Sequence, residues 1–312
     1  MPSTFIALDI GGTNIRCTLY PKDGITPLIQ KKISTIVDGQ ATIDRIIEVI
    51  DEVWPNDSSV RGICAAAPGS IDINEGIVIL APNIPGWHNL NLRKILSARF
   101  KVPVFVNNDA RMAAIGEWKH GAGIGHNNLM YFTISTGLGN GTIMHGRLLE
   151  GAQGIATESG HITLDDKGPV CGCGKPGHLE AYSSGTGIEN FTREELEKGV
   201  PSILSLKPPP SARQIAEAAR KGDSLSLSAF NRAGYYLGIG IANYLHIFNP
   251  SCLIFGGGVT RSGDLLMIPF RKSLEKHVLN PLYLDHLELK FALLGDDVGL
   301  IGALEYLKEK LQ

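Results

Sequence analysis

Apolar positions recur along this chain in short unbroken runs and in helical stripes, and their alternation predicts an α/β protein. The first run, Phe5 to Leu8, is closed by Asp9 and reads as a buried strand. Ile10-Gly11-Gly12-Thr13-Asn14 follows as a tight turn and Ile15 to Tyr20 as a second strand, so the chain opens on a hairpin. A helix is expected over about 41–54, where Ile43, Ile46, Ile47 and Ile50 share a stripe. Val60–Ala67 reads as a buried strand, and Asn108–Lys119 as a helix capped by Asn108. Leu129–Ser135 and Gly141–His145 read as paired strands around a glycine turn, ahead of an irregular glycine-rich region over 150–180. Helices are expected at about 212–221, 224–248 and 265–277, with a strand at Cys252–Phe255 and a terminal helix at Val298–Leu311. Both halves open with strands around a glycine turn, which points to a duplicated α/β unit without a repeat in the letters. Leu204–Ser211, with Pro208-Pro209-Pro210, reads as a surface loop.

Composition narrows the class. The 312 residues exceed the ~100–200 typical of one domain, so two lobes are expected. Hydrophobic residues at 43% and charged residues at 19% suit a soluble globular chain, and a net charge of −2 carries no basic excess for nucleic acid. The first residues lack a basic segment, a long apolar stretch and a cleavage site, so no signal peptide is expected. The most apolar long stretch, Leu237–Ile247, contains Asn243 and His246 and reads as a buried helix, not a membrane span. Five cysteines, two of them one residue apart, make a poor disulfide framework and favour a reducing cytoplasm. Cys17, Cys64 and Cys252 lie in apolar runs and read as core residues.

Gly11 and Gly12 let a ligand approach the backbone, the turn's N–H groups can form an anion site, and Thr13 adds a hydroxyl. Asp9 stands where it could hold Mg²⁺ through water. A plain hairpin turn explains the same residues. A second turn, Ser135 to Gly141, has the same layout of strand, hydroxyls, glycines and strand, so its G-x-G spacing lacks the helix that a dinucleotide fingerprint needs. Gly256-Gly257-Gly258 ends a strand and precedes a helix. Three such clusters suit a nucleotide. Asp109 opens a helix just past a buried strand. The helix dipole favours an acid there whatever its task. In the functional reading Asp109 accepts the proton of an attacking hydroxyl, the dipole keeps it ionised, and Asn108 positions another hydroxyl.

His161, Cys171, Cys173 and His178 supply two thiolates and two imidazoles, a tetrahedral set for a closed, structural Zn²⁺ site. Gly172, Gly174 and Gly177 permit the sharp turns this requires. Two reduced cysteines on a tight turn beside unrelated histidines is the alternative. Glu158 and Glu180 bracket the cluster and, held rigidly, could read hydroxyls on a small polar ligand; solvated glutamates are the bland reading.

Asp9–Asn14, Ala67-Pro68-Gly69, Pro82–Trp87, Asn107–Ala110, Glu158–His161, Cys171–Glu180, Ile254–Val259 and Gly299–Ala303 follow one another as in ROK-family proteins (repressors, open reading frames and kinases), which this chain resembles nearly end to end. The resemblance implies a two-lobed, actin-like ATPase (ribonuclease H-like) fold with the active site in the interlobe cleft. The expected lobes are 1–118 with 299–312, and 119–298. It implies Asp109 as catalytic base, and sugar contacts at Gly69, Asn83, Asn108, Asp109, Glu158, His161 and Glu180. It implies nucleotide contacts at Gly11, Gly12, Thr13, Thr136, Gly137, Gly256 and Gly257, and the first turn's own residues add Asp9 and Asn14 to the expected set. Cofactors would be ATP with Mg²⁺ and a structural Zn²⁺ on His161, Cys171, Cys173 and His178. The implied activity is ATP-dependent transfer to the 6-hydroxyl of a hexose, glucose first, with fructose, mannose, N-acetylmannosamine and N-acetylglucosamine as alternatives and polyphosphate as alternative donor. A homodimer or homotetramer in the cytoplasm, serving glycolysis and touching neither membrane nor nucleic acid, completes the expectation.

Two positions depart from the family pattern. His178 stands where cysteine is usual, which turns an anionic Cys₃His zinc site into a neutral Cys₂His₂ one; zinc is still expected, and is expected to leave in mild acid. Asn14 stands where many members carry lysine in the first phosphate loop. A sugar-responsive regulator of the same family would carry a helix-turn-helix before the first strand, where only four residues precede Phe5. An actin-like chaperone or filament ATPase would leave Glu158, Glu180 and the metal cluster unexplained.

Overall fold

The structure is a computed structural model describing residues 3–312; Met1 and Pro2, where the expected first lobe begins and where no signal peptide was expected, lie outside the described residues. The chain forms two compact units. Met1–His126, Gly141–Thr157 and Ala292–Gln312 make the first, and Asn127–Asn140 with Glu158–Phe291 the second.

In the first unit the expected hairpin is β1 (Thr4–Ile10) and β2 (Asn14–Pro21), followed by β3 (Ile29–Ser34), α1 (Thr42–Val53) and β4 (Val60–Ala67). Three short strands, β5 (Ser70–Asp72), β6 (Ile77–Leu80) and β7 (His88–Asn91), then lead to α2 (Leu92–Phe100), β8 (Val104–Asn108) and α3 (Asp109–His120). The main sheet runs β3-β2-β1-β4-β8, antiparallel across β2 and β3 and parallel across β4 and β8, while β5-β6-β7 form a small sheet of their own. Period-two alternation sorts β1. Ile6, Leu8 and Ile10 join Ile46, Val49 and Ile50 of α1 in one core, where the ring of Phe100 stacks on Trp54 at 4.9 Å. The small residues Ala7, Cys64 and Ala66 occupy the other face, fully buried under the terminal helix Val298–Lys310.

The remaining elements are β9 (Leu129–Ile134), β10 (Leu138–Met144), β11 (Arg147–Leu148), α4 (Leu179–Ser183), α5 (Gly185–Glu197), α6 (Ala212–Arg220), α7 (Ser224–Phe248), β12 (Cys252–Gly256), α8 (Asp264–His277), β13 (Glu288–Phe291) and α9 (Val298–Lys310). The sheet β11-β10-β9-β12-β13 repeats the first sheet's order: an outer strand, a hairpin pair, then two strands added in parallel. The suspected duplication is therefore visible in topology. Within the second unit Phe132, Phe230, Phe255 and Phe270 are buried among α4–α8. Leu237–Ile247 lies inside α7, and no described helix is long and apolar enough to cross a membrane.

One turn differs from expectation. β10 already begins at Leu138, so the second glycine turn is the three residues Ser135–Gly137. After β12, Gly258–Ser262 forms a 3₁₀ turn and α8 starts at Asp264, one residue before the expected 265; Gly257 and Gly263 both take positive φ (89° and 62°) and interrupt helical continuation between them.

Candidate active site

On the first unit the turn after β1 is braced from behind. Gly11 N–H donates to Asn14 O at 2.9 Å, Thr35 Oγ1 donates to Gly11 O at 2.6 Å, and Thr35 N–H donates to Thr13 O at 2.9 Å. A Cβ on Gly12 would lie 3.2 Å from Asn83 Cβ, so this turn meets the Asn83 loop. Asp9 accepts from Arg16 Nη2 at 2.5 Å and lies against Gly299 at the start of α9. Burial pushes its carboxyl above the ordinary carboxylate range, Arg16 pulls it back, and Asp296 and Asp297 raise it further. Asp9 is thus half of an ion pair, and any magnesium contact there shares the carboxylate with Arg16.

Gly69, at φ 85°, follows β4; a Cβ there would fall 2.0 Å from Leu80 O. Its carbonyl accepts Asn108 Nδ2 at 3.1 Å, while Asn108 Oδ1 caps α3 by accepting Ala110 N–H at 2.9 Å and Arg111 N–H at 3.3 Å. Both oxygen lone pairs and one amide hydrogen of Asn108 are engaged, leaving its second amide hydrogen for a ligand. Asp109, half-buried, is the first residue of α3, and its Oδ1 accepts Ala110 N–H at 2.8 Å. The structure therefore groups Gly12 with Asn83, and Gly69 with Asn108 and Asp109.

On the second unit the donor atoms of His161, Cys171, Cys173 and His178 all lie within 4.8 Å of one another. Cys173 Sγ is 3.2 Å from His178 Nδ1 and Cys171 Sγ is 3.7 Å from His161 Nδ1. A zinc tetrahedron with ordinary Zn–S and Zn–N bonds has edges of roughly 3.3–3.8 Å, so two edges are already close to length. The backbone sets this up: Cys171 N–H donates to Lys175 O and Gly174 N–H to Cys171 O, both at 2.8 Å, and a Cβ on Gly177 would collide with Asp165 O. Burial, then Glu180, pushes the Cys171 thiol up to about 12, and burial with His161 nearby pushes His178 below its ordinary value. A neutral His178 imidazole is the form that ligates a metal.

Glu180 ties this cluster to the second glycine turn. Its Oε1 accepts from Cys171 Sγ at 3.2 Å, its Oε2 accepts Leu138 N–H at 2.8 Å, and a Cβ on Gly137 would lie 2.5 Å from Oε2. Glu158 sits at the mouth of the 3₁₀ turn Ser159–His161, exposed, with its carbonyl accepting His161 N–H at 3.0 Å. Gly160 packs directly on Leu138 O, and Tyr244 Oη donates to Ser159 O at 2.6 Å. Thr136, Gly137, Glu158, His161 and Glu180 thus share one neighbourhood, while a Cβ on Gly257 would lie 2.4 Å from Ile134 O just before that turn.

Sequence reading missed an adjoining cavity of about 750 Å³, lined by Ser135, Thr136, Thr186, Glu189, Arg213, Glu217, Arg220, Gly258 and Arg261, among others. The first turns of α5 and α6 border it: Gly185 N–H donates to Ser135 O at 2.7 Å, and Glu189 accepts Ala212 N–H at 2.7 Å. Its charged residues lie on helix turns that look like ordinary solvated faces in the sequence; the legible sign was the Ser211–Gln214 capping box opening α6.

Two five-stranded sheets of one order, each with a glycine turn in its leading hairpin, define an α/β protein of the actin-like ATPase, ribonuclease H-like class. The chain belongs to the ROK family, whose sequence model matches residues 5–310. It is 37% identical over 314 residues to a glucokinase of Thermotoga maritima, covering 98% of each chain. It is 33% identical over 298 residues to a xylose repressor of Bacillus spizizenii, covering 95% of this chain and 72% of that one. A ROK-family glucokinase from Streptomyces griseus, solved with glucose and AMPPNP, superposes with a TM-score of 0.80 at 32% identity, covering 97% of this chain and 99% of that one.

Proposed function

We propose that this protein is an ATP-dependent hexose kinase that transfers the γ-phosphate to the 6-hydroxyl of glucose. The observation that carries this is Asp109 as the opening residue of α3, with Asn108 locked to Gly69 beside it, in a chain alike over nearly its whole length to glucokinases. Asp109 orients the 6-hydroxyl and accepts its proton as phosphorus is attacked in line. Sugar hydroxyls fall to Gly69, Asn83, Asn108, Glu158, His161 and Glu180. The phosphates fall to Gly11, Gly12, Thr13, Asn14, Thr136, Gly137, Gly256 and Gly257. The cavity beside Thr136 has the size for a nucleoside, which favours ATP over polyphosphate.

Mg²⁺, near Asp9, would neutralise charge on the transferring phosphate. Zn²⁺ on His161, Cys171, Cys173 and His178 would fix the segment carrying Glu180 and His161. Assembly as a homodimer or homotetramer would cover exposed Ile247, Leu279 and Leu282. A cytoplasmic place in glycolysis follows from this activity.

The likeness to the xylose repressor supports a second reading, a sugar-responsive regulator. A coupled assay over glucose, fructose, mannose and the two N-acetylated hexosamines, each with ATP and with polyphosphate, separates the two. Glucose with ATP should give the highest kcat/KM. Sugar binding without turnover for any hexose would leave the regulator.

A further inference from the structure

The chain passes between the two units at four places: 126/127, 140/141, 157/158 and 291/292. Just on the first unit's side of each, it touches α3. Before the first, Ala122 N–H donates to Glu117 Oε2 at 2.8 Å, and Gly121 and Gly123 N–H donate to Glu117 O at 3.0 and 2.9 Å. At the second, Gly141 lies so close to α3 that a Cβ would come 2.4 Å from Ala114 Cβ and 2.9 Å from Ala110 O. Before the third, Arg111 Nη1 and Nη2 donate to Gly154 O and Ala156 O. After the fourth, Leu293 and Leu294 N–H each donate to Glu117 Oε1 at 2.9 Å.

Glu117 is fully buried and Arg111 nearly so, at 2% exposed. A carboxylate in that setting is held by its donors, and here all three side-chain bonds come from backbone that leads to a crossing. The same helix begins with Asp109, eight residues and roughly 12 Å of helix from Glu117. Its position along α9 is also fixed: Gly302 lets Met112 O approach to a distance no Cβ would allow, and Gly116 does the same for Val298 O.

On the footing of the kinase reading, we propose that Glu117 is a positioning residue for phosphoryl transfer. It fastens the first and fourth crossings to α3, and Arg111 and Gly141 fasten the others, so that every path of the chain between the units bears on the helix that presents Asp109. Displacement of the crossings then displaces the catalytic carboxylate. Glu117→Gln keeps the shape but puts an amide donor against Ala122 N–H or against Leu293 and Leu294 N–H, so one fastening fails.

The full-length chain is assayed as wild type, Glu117→Gln and Ile46→Val, the last a buried change on α1 that serves as the stability control. Measured are kcat, the KM values for glucose and ATP, the dissociation constant of glucose without nucleotide, and Tm. Glu117→Gln should lower kcat about ten- to hundred-fold, the scale expected of a small misplacement of reacting groups, at temperatures where it is fully folded. Its glucose dissociation constant should stay within about two-fold of wild type, and Ile46→Val should leave kcat within about two-fold. A folded Glu117→Gln with wild-type kcat overturns the proposal, as does a kcat loss that only follows the unfolded fraction. If Glu117→Gln does not fold, amide exchange of the wild type decides. Peptides covering 121–124 and 292–295 should exchange together with α3, and independent exchange overturns the fastening. An inactive wild type would instead remove the kinase reading, so the two failures are distinct.

Discussion

Replacing Asp109 by asparagine separates structure from chemistry at one atom. The side chain keeps its shape, and the oxygen that accepts Ala110 N–H at 2.8 Å can be kept. What the fold loses is one negative charge in the first turn of α3, worth about 0.3–1 kcal/mol. At about 2–4 °C of Tm per kcal/mol for a unit of this size, melting should fall by no more than ~4 °C. What the reaction loses, with Asp109 as the proposed base, is typically worth about 10²–10⁴ in rate. That is roughly 3–5 kcal/mol of barrier at ~1.36 kcal/mol per decade. The activation loss should therefore exceed the stability loss several-fold. Coupled detection of glucose 6-phosphate gives kcat, titration calorimetry gives glucose binding, and a thermal melt gives Tm. Turnover should drop by at least two to four orders of magnitude with glucose affinity nearly unchanged. A kcat within about ten-fold of wild type would refute the assignment of Asp109 as base.

Two other predictions rest on local geometry. Gly69→Ala places a Cβ 2.0 Å from Leu80 O in a backbone at φ 85°, so it should cost about 2 kcal/mol or more, read by chemical denaturation, and release Asn108 from its anchor with a rise in the KM for glucose. Zinc should be present at one ion per chain at pH 7.5 by elemental analysis and should leave as the pH falls below about 6, because both thiols and both imidazoles must give up protons to bind it. His178 acts in the same direction in the metal-free protein: its folded pKa is depressed, so the unfolded chain takes up the proton first and stability falls as the pH drops through the ordinary histidine range. A Tm independent of pH and of chelator between pH 7.5 and about 5.5 would contradict both.

Where apolar residues repeat at one period the elements were legible: α7 was read as Ser224–Phe248, its bounds in the structure, and α3 with its Asn108 cap was placed to within a residue. Elements that lack the signal were not. β3 is an exposed edge strand, Ile29–Ser34, whose Gln30, Lys31 and Lys32 pair with β2 through backbone alone. α5 opens Gly185-Thr186-Gly187, which resembles a loop; the glycines are there because a Cβ would lie 2.8 Å from Ser135 O and 2.7 Å from Ala181 O. The grouping of His161, Cys171, Cys173 and His178 was legible because cysteines and histidines are rare and here closely spaced. Glu117 was invisible, since a glutamate in a helix is ordinarily solvated and its partners, Leu293 and Leu294, lie 176 and 177 residues away.

The same sheet order was laid down twice, and the copies were elaborated by different physics. After β8 the first copy places Asp109 at the end of a well-packed strand, where its position follows from the core around Val104 and Val106. In the second copy Glu158, His161 and Glu180 hang on a segment, 162–178, with almost no apolar residues to bury; Val170 is 67% exposed, and Ile162 and Leu164 are only partly covered. Such a segment cannot hold a shape through the hydrophobic effect; backbone bonds and glycine turns fix it, and the proposed zinc would add to them. Glu180 joins that fixed segment to the turn at Gly137, so one carboxylate senses both. Metal loss should therefore act first on what the segment presents, raising the KM for glucose before that for ATP, and leave the first unit's fold intact.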